Sequence, residues 1–220
     1  MGLGHGLRFF RDTDISWSPQ IAQGRSAARF PELTSAFPLL QRPDPRLLNV
    51  WADLREFSKL VNDAGAAGTK VPTETAAQLA TSVPHRLLRL QIGLDEAHAF
   101  QHELLRWCML AYTKMLLIKL PGIGSKMTRL ADGLRAVLTS AMADLSLERL
   151  MLWGAFVAGV SIFEGLHDGW LVDILAQSLS TLGLQTWAET KAVLKTFLWI
   201  DLVFDRAAER MFDRCCGGTR

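Results

Sequence analysis

Cysteine is scarce: the 220 residues hold three, Cys108 and the adjacent pair Cys215 and Cys216. Three cysteines cannot build a disulfide framework, and the expected compartment is a reducing one. No leading segment has the apolar stretch of a signal peptide. Lipidation signals are missing as well, since Gly6 stands where myristoylation needs Ser or Thr and Gly217 stands where a prenylated Cys would be. Long apolar runs are the next absence. Crossing a bilayer takes roughly 17 to 25 apolar residues. Leu104 to Leu120 is interrupted by Arg106, Lys114 and Lys119, and Leu150 to Phe163 is uncharged but 14 residues long. Both read as buried core helices.

Charge of one sign is not concentrated anywhere. The net charge is +2, with nine basic and seven acidic residues in 1–72 and fifteen of each in the remainder. Affinity for nucleic acid comes from neutralising several phosphates at once, so a chain without a basic face is not expected to read DNA by itself. Alternating β-branched runs bounded by turns are also absent, which excludes a sheet. No internal repeat is found.

What remains is ordinary globular composition, 49% hydrophobic and 21% charged, enough for one sizeable core. The expected fold is all-α, a single multi-helix domain of about seven to eight helices. Residues 1–45 hold five of the eight prolines (Pro19, Pro31, Pro38, Pro43, Pro45) and no helical period, and are expected to be irregular or loosely attached. The helical domain should occupy 46–214, with 215–220 a frayed tail. From Pro45, the spacing of Leu47, Leu48, Trp51, Leu54, Phe57, Leu60 and Val61 predicts a helix that stops near Gly65. Thr73 to Ser82 and His85 to Gly93 read as two shorter helices separated by Pro84. A long helix starts near Asp95, with Ala97, Phe100, Leu104, Cys108, Ala111, Met115 and Ile118 on one stripe, and ends at Pro121-Gly122. Lys126 to Ala143 follows. Ser146 is the expected N-cap of the apolar helix through Phe163, and Asp168 to Leu182 is closed by Gly183. The last helix opens on a capping box, Thr186 with Glu189, and is expected to run unbroken to about Arg214.

Several residues invite a chemical reading. His98 and His102, four apart beside Glu103, have the spacing of a helical metal pair. They fall off the Phe100, Leu104, Cys108 stripe and share a ridge with Arg106, so an exposed, metal-free face is expected. Gly122 to Lys126 lacks the spacing and the preceding strand of a phosphate loop. Asp201 with Asp205, and Glu164 with Asp168 and Asp173, could in principle do acid-base work or hold magnesium. Without adjacent acids they read as solvated or helix-terminal carboxylates. Cys108 lies on an apolar stripe as a small buried hydrophobe. Of seven tryptophans, Trp51, Trp107, Trp153 and Trp199 fall on or beside apolar stripes, as core packing requires. No residue is assigned a catalytic, cofactor-binding or metal-binding role.

One ordered set of residues resembles a known family: Leu152-Trp153, Phe156-Val157-Ala158-Gly159, Trp170, Leu182-Gly183-Leu184, Trp187, Glu189, Leu194-Lys195, Phe197-Leu198-Trp199, Asp201 and Asp205. This order is similar to the C-terminal end of the fungal-specific transcription factor domain, the helical regulatory region of fungal zinc-cluster transcription factors. Leu104 to Leu120 and Leu130 to Leu138 resemble its two preceding helices, so the likeness covers about residues 95–214. Phe212 stands where that family usually has Trp, and the six-cysteine zinc cluster has no counterpart in this sequence. The resemblance implies a nuclear regulatory domain, a fragment of a longer factor or a truncated relative, acting through protein contacts that include the transcription machinery or self-association. A small-molecule effector is a further candidate partner; sequence-specific DNA binding and membrane binding are not expected. The alternatives are a standalone helical interaction domain unrelated to transcription and a helical enzyme with an apolar pocket; without the resemblance the expected location is the cytoplasm.

Overall fold

The computed structural model describes residues 44–71, 73–90, 99–117, 128–163 and 169–217. Among them there are eight α-helices and no strand, the all-α architecture expected from the sequence. In chain order they are α1 (Pro45–Ala66), α2 (Thr73–Arg89), α3 (Ala99–Leu117), α4 (Thr128–Ala141), α5 (Glu148–Ser161), α6 (Gly169–Thr181), α7 (Trp187–Leu194) and α8 (Asp201–Gly217). The expectation for the N-terminal segment lies outside the described residues up to position 43. The chain divides into two compact units, Met1–His102 and Glu103–Arg220.

In the first unit, α1 starts where the sequence indicates. Asp44 accepts the Arg46 amide at 2.8 Å, and Pro45 sits in the first turn, where its missing N–H costs nothing. The helix ends in a turn that needs Gly68 at φ +66°, with the Thr69 amide reaching back to the Ala64 carbonyl at 2.8 Å. Helix α2 corrects an expectation. Pro84 lies inside one continuous helix instead of separating two. Proline deletes one helical hydrogen bond, but Leu79, Val83 and Leu87 are all fully buried on either side of it, and packing of that stripe outweighs the local defect. Arg86 of α2, 3% exposed, forms an ion pair with Asp53 of α1.

The second unit is built around α5, which packs on α4, α6, α7 and α8. Every residue from Leu150 to Gly159 is buried, so this helix is apolar all round, as a central helix must be. Its start differs from the expected one. Asp144 accepts the Ser146 amide at 3.0 Å and caps a short 3-10 turn, Leu145–Leu147, so Ser146 lies inside that turn and α5 begins at Glu148. Glycine lets neighbours come close: a Cβ on Gly154 would stand 2.5 Å from the Cys108 sulfur. Gly154→Ala should therefore cost about 1 to 3 kcal/mol by overpacking, despite a helix-propensity gain of about 1 kcal/mol. In a Cys108→Ala background the nearest remaining atom of residue 108 is its Cβ, at 3.7 Å. The same Gly154 substitution should there become neutral or stabilising, and urea unfolding of the four proteins checks both halves.

Gly183 closes α6 as expected, at φ +66° with the Leu184 amide on the Leu179 carbonyl at 2.9 Å. The expected unbroken last helix is corrected: α7 ends at Leu194 and α8 starts at Asp201. Phe197, Leu198, Trp199 and Ile200 are at most 6% exposed. Four successive side chains span the whole circumference of a helix, and leaving the helix lets all four face the core. Of the segment expected as a frayed tail, Cys215 to Gly217 continue α8, and 218–220 lie outside the described residues.

Candidate functional site

A group of polar side chains lies where α7, the connector (residues 195–200) and α8 meet. Thr186 Oγ1 accepts the Glu189 amide at 3.2 Å, while the Glu189 carboxylate accepts the Gln185 and Thr186 amides at 3.0 Å each. This is the capping box read from the sequence. Those amides hold the Glu189 carboxyl below the usual range. Two residues further along α7, Lys191 Nζ donates to Asp205 at 2.6 Å, and the other oxygen of Asp205 accepts the Trp199 indole N–H at 2.8 Å. Its bond to Asp205 holds the Lys191 ammonium above its ordinary range. Lys195 donates to Asp201 at 2.9 Å.

The acids at 201 and 205 are thus each engaged by a lysine of their own unit. They tie α8 to the end of α7. Trp153, fully buried, donates its indole N–H to the Leu198 carbonyl at 2.9 Å and stacks on Phe197 at 5.4 Å between ring centroids, with 9° between planes. Trp107 carries Arg106 over its face at 5.1 Å, and Trp51 is 1% exposed. The indoles named from the sequence therefore pack or tie segments together.

The remaining candidates are scattered. His102 is 3% exposed, which corrects the solvent-facing ridge expected for it. Buried positions of α3 run from Leu104 through Leu105, Cys108 and Met109 to Thr113, a far wider arc than the single stripe seen in the sequence. His98, the segment Gly122 to Lys126, Glu164 and Asp168 lie outside the described residues; Asp173 is exposed on α6. No three His, Cys, Asp or Glu side chains group as a metal set among the described residues. Burial pushes the Cys108 thiol far up, and pushes Cys215 up to about 11 with the help of neighbouring Cys216. Burial also raises Cys216, with Asp213 adding to it. All three stay protonated at neutral pH and are poor nucleophiles.

Sequence reasoning missed buried charged groups, Arg86 and Glu148 among them. Glu148 is 3% exposed and neither carboxylate oxygen has a hydrogen-bond partner. It occupies the first turn of α5, where the helix dipole favours a negative charge. An acid opening an apolar run was the available signal. No helix among the described residues is long and apolar enough to cross a membrane. No family model, curated protein or solved structure matches the chain.

The capping box gives a pH expectation. Because the folded carboxyl of Glu189 titrates below its unfolded range, the unfolded chain takes up that proton first as pH falls. The contribution is present above about pH 4.3, the ordinary Glu value, and is lost as pH falls through the lowered folded value. Glu189→Gln should flatten the acid limb of stability against pH, measured by thermal unfolding; an unchanged limb would show that the box carries no proton linkage.

Proposed function

We propose that this chain is the helical regulatory domain of a transcription regulator in the nucleus, acting through protein contacts and without its own DNA-reading module. One observation carries the reading. The residues whose order resembles the fungal-specific transcription factor domain include those that tie segments of the second unit together, Trp153 to Phe197 and Leu198 and Trp199 to Asp205, and the pair that caps α7, Thr186 with Glu189. A resemblance spread over unrelated surface positions would have no such common role. The balanced charge also favours action through proteins over direct nucleic-acid contact.

Tethering tests it. The full chain fused to a foreign DNA-binding domain should raise or lower a reporter whose promoter carries the matching site, whereas the untethered chain should leave it unchanged. A fusion that is nuclear, folded and without effect on the reporter would sink the proposal in favour of an interaction domain unrelated to transcription.

A further inference from the structure

The outward face of α8 matches itself when turned end for end, and we infer that it pairs antiparallel with the same helix of a second copy of this chain. At 3.6 residues per turn, Leu202, Arg206, Glu209, Arg210, Asp213 and Gly217 occupy about 100° of the helix, opposite the buried Phe204, Ala208, Met211 and Phe212. All six are exposed, and Leu202 is 82% exposed, the most of any large apolar side chain among the described residues. Among the described residues Arg206, Glu209, Arg210 and Asp213 form no ion pair, whereas the flanking Asp201 and Asp205 are engaged by Lys195 and Lys191. The charges left over are those that point outward.

Their order decides the occupant. In an antiparallel pair centred between positions 209 and 210, Glu209 of one copy meets Arg210 of the other, Arg206 meets Asp213, and Leu202 lies over Gly217, which has no side chain to obstruct it. Each pairing occurs twice by the two-fold axis, as a self-complementary interface requires. A parallel pair in register would set Arg against Arg and Glu against Glu. One helix pair of this length falls short of the roughly 1,200 Å² of a stable specific interface, and exposed ion pairs are weak and screened by salt. The dimer is therefore transient, concentration-dependent and favoured at low salt. This inference does not depend on a role in transcription.

Sedimentation of the full chain tests it. At about 50 mM salt the weight-average mass should rise toward twice the monomer as the protein goes from about 20 μM to several hundred μM, and should fall back at about 500 mM salt. Arg210→Glu alone and Glu209→Arg alone each place like charges across the axis and should leave a monomer with unchanged helical circular dichroism. The double variant restores opposite charges and should dimerise again. Arg206→Asp with Asp213→Arg provides a second such cycle should the first perturb folding. A parent chain that stays monomeric throughout overturns the inference and leaves the face to a different partner; so does a dimer indifferent to both single reversals.

Discussion

Trp153→Ala is expected to cost the second unit about 3 to 5 kcal/mol, the usual range for truncating a buried aromatic and a large part of the roughly 5 to 15 kcal/mol that holds a domain together. Three losses combine. The indole is fully buried; its ring leaves Phe197, stacked at 5.4 Å; and the Leu198 carbonyl loses the donor that reached it at 2.9 Å. Trp153→Phe keeps most of the ring and removes the donor, so it should cost about 1 to 3 kcal/mol, the penalty of a buried carbonyl left without a partner. Lys195→Ala, which removes an exposed ion pair with Asp201, should cost no more than about 1 kcal/mol. Urea unfolding should rank the three in that order; a Trp153→Ala protein as stable as Lys195→Ala would mean that α5 and the connector are not tied as described.

The second large effect belongs to the first unit. Asp53→Ala leaves the Arg86 guanidinium, 3% exposed, without the carboxylate that faces it from α1. Breaking a buried pair from one side typically costs about 3 to 5 kcal/mol, while replacing both partners by apolar groups is often neutral. Asp53→Ala should therefore unfold at much lower denaturant, followed by far-ultraviolet circular dichroism. Adding Arg86→Met should recover most of the loss. Failure of the second substitution to recover stability would show that Asp53 acts through its other contacts and not through Arg86.

Local signals were legible wherever a short motif alone sets the backbone. Pro45, the Thr186 and Glu189 box and Gly183 each needed only their immediate neighbours, and each marks its helix end in the structure. Elements decided by burial were less legible. Pro84 signals a break that packing of Leu79, Val83 and Leu87 overrides. Thr186 to Arg214 has the spacing of one helix because Phe197, Ile200 and Phe204 fit a helical period. The unit instead buries Leu198 and Trp199 as well, which a continuous helix would turn to solvent. His102 was misplaced because periodicity reports the most apolar stripe and says nothing about how far burial extends around the helix. For the candidate site, the acids at 201 and 205 were visible as a pair, but their lysines lie on another segment, at 195 and 191, and only the chain reversal brings them together.

The segment from Phe197 to Ile200 is a connection in the chain but belongs to the interior by its surroundings. Loops ordinarily accept insertions, tags and protease cuts because their backbone is wet and their side chains are dispensable. Here the side chains are in the core and the Leu198 carbonyl is spoken for by an indole 45 positions earlier. Lengthening this connection by even one residue would push an apolar side chain out of register, so the chain can be opened or grafted at the exposed turn near Gly183 and Gln185 but not between α7 and α8.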